Sequence, residues 1–291
     1  MPELPEVETM VRDLKKKVLQ RTFLNVWTDA PKLIKKPKRF ADFEKGIKRK
    51  RILEIYRRAK NIIFELSGGC SLLVHPKMTG HFLIGNWSLT DNSWHAEKRG
   101  PMKEKVNSYI HMMFWLDKGP MLALSDLRKF AKVELWRTEE LKESEYFKSL
   151  GPEPLEKEFS FKIFKDIITM TRGKIKPVLM NPKVIAGIGN IYSDEILWRA
   201  RLHPLRDTRS IKEKELKEIY NNIKKVLVSA IKLRGESISD FRDPQGKKGF
   251  FDTERRVYQR EGEKCRRCGS IIKRLKVGGR SAHFCPHCQS N

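Results

Sequence analysis

Residues 265–268, Cys-Arg-Arg-Cys, and residues 285–288, Cys-Pro-His-Cys, decide how the last part of this 291-residue chain folds. Two residues separate the cysteines within each pair, and 16 separate the pairs. Two such knuckles let four sulfurs converge as a tetrahedron of thiolates on one structural Zn2+. Gly269 follows the first knuckle, where a tight turn wants positive φ. His283 and His287 are nitrogen donors that could replace a Cys, but the symmetry of the pairs favours Cys265, Cys268, Cys285 and Cys288 as the set. Disulfides are the alternative. The opening Met1-Pro2-Glu3-Leu4-Pro5-Glu6 is acidic and proline-rich, without the basic start and apolar stretch of a secretion signal. A reducing, cytoplasmic compartment is therefore expected, which favours zinc. Between the knuckles, Val277-Gly278-Gly279-Arg280-Ser281 reads as a hairpin tip. An exposed Arg280 on a metal-held hairpin could hold phosphate bidentately; a solvated tip residue is the plainer reading. The fifth cysteine, Cys70, stands near Leu72, Leu73 and Val74 and reads as a small core residue.

Outward from this module the chain is strongly basic. Lys and Arg total 61 against 36 Asp and Glu, a formal net charge of +25. Such a surplus points to a polyanion, first of all nucleic acid, because each phosphate contact releases condensed counterions. A solubility charge and an anionic membrane surface are the alternatives. No apolar run reaches the ~18 residues a spanning helix needs. Hydrophobic residues at 39%, with 15 Phe, 6 Trp and 6 Tyr, argue for packed cores rather than disorder.

The patterning changes along the chain. Val7, Met10, Val11, Leu14 and Val18 form a helical stripe, with Pro5 suited to a first turn. Residues 51–66, 71–75, 109–116, 121–124 and 133–136 read as strands, and 85–107 as a long loop or insertion. Thr138 to Glu158 is charged and holds Gly151-Pro152-Glu153-Pro154, a linker signature. Helices are expected at 159–170, at 177–185, at 190–199 with Asn190 as N-cap, and from Ser210-Ile211-Lys212-Glu213, a capping box. Ser237 to Phe251 reads as a mobile loop. The expected domains are 1–138, a linker 139–158, a helical domain 159–256 and the zinc module 257–291.

Four further segments could carry chemistry. Loss of Met1 would expose Pro2 as a secondary amine, whose ordinary pKa of ~7.7–8.0 leaves much of it neutral and nucleophilic. Glu3 is adjacent and could exchange protons; Glu6 lies one turn on. On local residues alone this segment reads first as a plain helix start with acids at the positive dipole end. In Gly187-Ile188-Gly189-Asn190, glycines permit close backbone approach and the helix start suits a phosphate; a helix corner is the alternative. His75-Pro76-Lys77-Met78 and Asp126-Leu127-Arg128-Lys129-Phe130 follow strands and offer Met78 and Phe130 as wedges between bases, though each alone is more often core. Lys60, in Arg57-Arg58-Ala59-Lys60, would alone pass as a solvated charge.

Taken together, and in this order along nearly the whole chain, these segments resemble the bacterial formamidopyrimidine-DNA glycosylase family. The resemblance implies an α+β multidomain fold: an N-terminal β-sandwich with an N-terminal helix, a helix–two-turn–helix domain and a C-terminal zinc-finger hairpin. It implies a flipped nucleotide, attack by Pro2 on the sugar carbon, base loss, and strand cleavage by β,δ-elimination through the imine. It gives Glu3 the proton transfers, and Lys60 and Arg280 the flanking phosphates. Asn190 and Arg172 join the DNA contacts. Met78, Arg128 and Phe130 fill the vacated stack and press on the opposite base, Lys129 joins the DNA contacts, and Glu6 lies near the flipped nucleotide. The implied partner is double-stranded DNA with oxidised purines or abasic sites, met by a monomer with no membrane association. The chain departs from the family at Pro76-Lys77, where Leu-Gly is usual, and at Asn107-Ser108, where Asp-His is usual. Ala131 stands in place of a glycine, residues 85–107 are longer than usual, and Asp240 to Phe251, within the helical domain, resembles only loosely the family's base-capping loop, where base choice is set. Two other readings compete: an endonuclease VIII-like glycosylase for oxidised pyrimidines, against which Leu4 speaks, and a protein that binds damaged DNA without cutting it.

Overall fold

The computed structural model describes residues 1–91, 93–237 and 240–290. The chain forms two compact units, Met1–Lys148 with Leu233–Phe250, and Ser149–Lys232 with Phe251–Asn291.

In the first unit, helix α1 (Leu4–Val18) opens the chain. Strands β1 (Phe23–Thr28) and β2 (Ile34–Lys36) lead to helix α2 (Phe40–Ile47). Strands β3 (Ile52–Arg58), β4 (Asn61–Leu66), β5 (Cys70–His75) and β6 (His81–Gly85) follow. Then come a small hairpin, β7 (Trp87–Thr90) and β8 (Ser93–Ala96), and strands β9 (Ile110–Leu116), β10 (Met121–Ser125) and β11 (Lys132–Arg137). Helices α3 (Thr138–Glu143) and α4 (Glu145–Lys148) end this part. One sheet runs β1-β9-β10-β6 and the other β2-β11-β5-β4-β3. Their inner faces share a core in which Phe64 of one sheet meets Phe82 of the other edge-on at 5.7 Å. The apolar stripe of α1 enters the same core, each side chain adding about 1.5–3 kcal/mol by burial.

Helix α1 starts where it does for a local reason. Glu3 and Glu6 form a reciprocal capping box with Pro5 in the first turn, and Lys15, Lys16 and Lys17 complement the dipole at the far end. Residues 85–107 are not simply a loop. Trp87 and Trp94 of the β7–β8 hairpin are buried, and Trp94 packs edge-on against Trp27 and Trp115. Asn92, within this segment, lies outside the described residues.

The second unit contains α5 (Phe161–Met170), α6 (Ile175–Met180), α7 (Asn190–Arg199) and α8 (Glu213–Lys232), then the hairpin β12 (Lys273–Val277) and β13 (Arg280–Phe284). Ser160 caps α5 through its hydroxyl. Three local expectations are corrected here. The helix expected over 177–185 ends at Met180, before Asn181-Pro182, because proline disfavours helical geometry in the residue before it. Asn190 is the first helical residue of α7, with Gly189 as N-cap. Ser210 closes a short 3-10 turn, and the carboxylate accepting at the start of α8 is Glu215, from the Lys212 N–H at 2.8 Å.

The unit boundaries also differ from the expected ones. Residues Leu233–Phe250, expected with the helical domain, pack with the N-terminal unit. The expected mobile loop from Ser237 to Phe251 is pinned where it is described: Ile84 N–H donates to Pro244 O at 2.8 Å, and Asp243 accepts from the Gln245 and Lys247 amides at 2.8 and 3.0 Å. Ile238 and Ser239 of that loop lie outside the described residues.

Candidate active site and nucleic-acid interface

The first unit gathers most of the candidate residues. Pro2, Glu3 and Glu6 are all buried at the start of α1. Glu6 Oε2 accepts the Glu3 N–H at 2.7 Å, and Oε1 accepts the Glu236 N–H at 2.7 Å. Both carboxylate oxygens are therefore held by backbone, and the backbone around Glu3 is fixed. Gly235 makes the second bond possible. Its φ is +81°, and a Cβ there would stand 2.6 Å from Glu6 Oε1.

Met1, Met78, Lys77, Lys129 and Phe130 line one cavity, so the amino terminus opens on the two candidate wedge loops. Asp126 builds the second of these loops. Its Oδ2 accepts the Phe130 and Ala131 amides, both at 2.7 Å, and its Oδ1 is held by the Thr79 hydroxyl next to Met78. Thr79 Oγ1 in turn accepts the Arg128 N–H at 3.1 Å. One carboxylate thus ties the two loops together and turns their side chains outward. Phe130 is 51% exposed, and the Arg128 guanidinium lies 4.7 Å from its ring centroid. The ring is thus left half in water and braced by the loop beneath it.

Lys60 sits at the β3–β4 turn. Arg57 Nε donates to Glu8 of α1 at 3.0 Å and its Nη1 to Ala59 O at 3.1 Å, so the helix that follows Pro2 and the turn carrying Lys60 share one guanidinium. The Asn61 amide holds the other side of that turn, through Arg58 O and the Tyr146 hydroxyl, both at 2.9 Å. His75 accepts the Lys77 N–H at Nδ1, 2.9 Å away. Burial, then the charges of Lys77, Lys60 and Lys132, push its pKa down to about 3. It is a neutral strut under the Met78 loop, not an acid or a base. Asn107, standing where the family more often has a charged contact, is buried and internally bonded.

In the second unit, Gly187, Ile188 and Gly189 are buried and Asn190 opens α7 with its Oδ1 unpartnered among the described residues. Arg172 is exposed between α5 and α6. Arg280 is exposed at the start of β13, opposite Val277 across the turn. The hairpin that carries it is anchored by residues the sequence did not single out. Lys176, wholly buried, donates to Asp194 and, at 2.9 Å, to Ser281 O. Asp194 Oδ2 accepts the His283 N–H at 2.9 Å. The neighbouring Glu195, also buried, accepts the Arg256, Val257 and Tyr258 amides at 2.9–3.0 Å.

The ligand atoms of Cys265, Cys268, Cys285 and Cys288 all lie within 4.8 Å of one another. Zn–S bonds of ~2.3 Å require tetrahedral sulfurs roughly 3.8 Å apart, so the cluster fits the ion closely. Hydrogen bonds from Ser270 pull the Cys268 thiol down to about 6, whereas burial and the sulfurs of Cys268 and Cys285 push Cys288 up to about 12. Four crowded sulfurs need a dication to ionise together. Burial works against the Cys265 thiolate, but the Arg267 and Cys268 amides and the Trp198 indole outweigh it and lower its pKa. That indole N–H has no oxygen or nitrogen acceptor among the described residues. The four cysteines hold one structural zinc ion, with no position left for water.

Three family models match the chain. They are the formamidopyrimidine-DNA glycosylase N-terminal domain over residues 1–133, its H2TH domain over 150–242, and the zinc finger found in FPG and IleRS over 262–291. A formamidopyrimidine-DNA glycosylase of Heliobacterium modesticaldum is 38% identical over 293 residues, covering 99% of this chain and 100% of that one. One of Carboxydothermus hydrogenoformans is 38% identical over 290 residues, with the same coverage. The Lactococcus lactis FPG complexed with DNA containing Fapy-dG is similar with TM-score 0.85 and 34% identity, covering 99% of this chain and 100% of that one. A MutM complex with DNA containing carbocyclic 8-oxo-G gives 0.86 and 33%, covering 100% of both. The chain belongs to the formamidopyrimidine-DNA glycosylase family. It is an α+β DNA-repair enzyme. Among the described residues, no helix is long and apolar enough to cross a membrane.

Proposed function

We propose that this enzyme removes oxidised purines, 8-oxoguanine and formamidopyrimidines, from double-stranded DNA and then cuts the strand, with Pro2 as nucleophile. The supporting observation is the fixed amino terminus. Glu6 grips the Glu3 backbone, and Met1 opens on the cavity shared by Met78 and Phe130.

With Met1 removed, the Pro2 nitrogen forms a bond to the sugar C1′ as the bond from C1′ to the base breaks. The base leaves with the bonding pair and takes up a proton. Glu3 protonates the ring oxygen, the ring opens, and the nitrogen becomes an iminium. The iminium acidifies the C2′ proton. Its loss expels the 3′ phosphate, and a second elimination expels the 5′ phosphate. Water then hydrolyses the imine and restores the amine. Lys60 and Arg280 hold the flanking phosphates, joined by Asn190 and Arg172, while Glu6 fixes Glu3. Met78, Arg128 and Phe130 occupy the space the flipped nucleotide leaves, and Lys129 adds charge beside them. The zinc ion, once bound, supplies no chemistry beyond rigidity for the hairpin of Arg280. Relatives from bacteria support a place in the bacterial cytoplasm, on nucleoid DNA.

Borohydride trapping tests the reading, on an 8-oxoguanine·cytosine duplex and an abasic duplex in parallel. Covalent adducts on both, absent in Pro2→Gly, are the expected result. An adduct on the abasic duplex alone removes the purine assignment and turns attention to oxidised pyrimidines. No adduct on either, with Met1 shown to be cleaved, leaves a protein that binds damage without cutting.

A further inference from the structure

We propose that residues 101–107, the end of the long segment between β6 and β9, are a brace that positions Glu6 and the amino terminus through Leu233–Phe250. The inference rests on the Pro2 reading for its kinetic consequence, but its geometry is independent of it.

The contacts form a continuous relay. Asn107 is 1% exposed. Its Nδ2 donates to Pro101 O at 2.8 Å and to Gly246 O at 3.2 Å, and its Oδ1 pairs with His81 Nε2 at 2.9 Å. Gly246 has φ +78°, and a Cβ there would stand 2.8 Å from Asn107 Nδ2, so the two are fitted to each other. Beside them the buried Arg242 donates from Nε to Glu104 at 3.0 Å. Gly246 N–H donates to Asp243 O at 2.8 Å. Asp243 Oδ2 accepts from Arg234 Nε at 3.0 Å, and Arg234 also grips Asp13 of α1. Arg234 is followed by Gly235 and then by Glu236, whose N–H is bonded to Glu6. Glu6 holds Glu3.

The neck of this segment is closed by Phe250 N–H on Leu233 O at 2.7 Å, but the segment contains no helix or strand among its described residues. Its internal turn, centred on Asp243, sets its local shape and not its seat on the sandwich. The seat comes from Ile84, Glu104, Asn107 and Asp13. Two of these four, Glu104 and Asn107, lie at the end of the long segment, which therefore takes part in seating Leu233–Phe250. They make the orientation of the Glu236 amide, and hence of the Glu6 carboxylate, part of the folded sandwich. Asn107 and Glu104 are positioning residues: they touch no reacting atom and act through Glu6.

The test compares wild type, Asn107→Ala, Glu104→Gln and Glu6→Gln, and Asn107→Ala in the Glu6→Gln background. The rate of borohydride-trapped adduct formation is measured on an abasic duplex at saturating enzyme. Affinity for an undamaged duplex is measured alongside. Hydrogen exchange is followed in the peptide carrying the Glu236 amide. Asn107→Ala is expected to slow trapping about 10-fold with affinity changed less than about 2-fold, and to quicken exchange at Glu236. Glu104→Gln, at a half-exposed position that leaves the core intact, is expected to do the same in smaller measure. In the Glu6→Gln background, Asn107→Ala should slow trapping no further. An equal slowing in that background, a loss of affinity in place of rate, or unchanged exchange at Glu236 overturns the inference. A wild type that forms no adduct overturns the Pro2 reading instead and leaves the exchange result to decide the brace.

Discussion

The buried pair between Lys176 and Asp194 offers the sharpest energetic test of how the second unit holds its hairpin. Their side chains are 0% and 1% exposed. Asp194→Ala removes the counter-ion of a buried ammonium and the acceptor of the His283 N–H. Breaking a buried pair from one side costs about 3–5 kcal/mol, because the remaining charge is left desolvated. The Lys176 ammonium keeps the Ser281 and Asn190 carbonyls, at 2.9 and 3.5 Å, as neutral acceptors. We therefore expect a loss of about 4 kcal/mol. Lys176→Met should cost a similar amount by stranding Asp194. The double variant should cost less than the sum by a coupling of about 2–3 kcal/mol, since it removes both charges together. Urea unfolding of the zinc-loaded protein, followed by metal release to a chromogenic chelator, reads this unit rather than the sandwich. Additive single and double variants, or an Asp194→Ala cost below about 1 kcal/mol, would refute the claim that the pair carries the hairpin. Because Lys176 holds Ser281, next to Arg280, weaker DNA affinity at temperatures where the variant is still folded is a second expected outcome.

Three further outcomes follow from the geometry. Asp126→Ala leaves the Phe130 and Ala131 amides without their acceptor, so the loop carrying Arg128 and Phe130 should loosen and affinity for a lesion duplex fall about 10-fold; unchanged affinity by fluorescence anisotropy would show that this loop does not touch DNA. His75, with its pKa depressed to about 3, makes the folded state resist protonation, so the stability it contributes is complete above the unfolded value of ~6.5 and is lost as pH falls from there toward 3. Wild type should lose about 2 kcal/mol more than His75→Gln between pH 7.5 and pH 5, measured by urea unfolding, and equal losses would contradict the neutral strut. Chelation of zinc should unfold the hairpin around Arg280 and weaken DNA binding while the β-sandwich signal in near-ultraviolet circular dichroism survives; simultaneous loss of both would show that the two units do not melt independently.

What the sequence made legible was local. The cysteine knuckles, the acids at the helix start, Glu3 and Glu6, and the stripe of α1 all lie within one turn or one hairpin of their partners. The residues it hid are those whose partners are distant. Asp194 and Glu195 look like the polar face of a short helix, yet every residue from Tyr192 to Trp198 is buried. Nothing within ten positions of Asp194 announces His283. The β7–β8 hairpin escaped because each of its strands has four residues, too few for a period to show among polar neighbours. The segment after α8 reads as loop by composition, and its bonds to the distant Ile84, Asn107 and Glu6 give it its seat.

A common rule connects the hidden residues. The net charge of +25 directs attention to the cations. Glu6, Asp126, Glu195 and Asp243 are buried, and each accepts backbone N–H groups from irregular segments, while the buried Asp194 holds the His283 N–H of the hairpin. A carboxylate taking two or three such bonds fixes a loop that has no ladder of its own, and charge-assisted bonds are about twice as strong as neutral ones. The residues proposed to meet DNA stand on loops, as Met78, Arg128 and Phe130 do, or at the ends of elements, as Asn190 and Arg280 do. The buried acids hold those loops still. A count of net charge subtracts the second group from the first, and so conceals the arrangement by which a very basic protein keeps its cations in place.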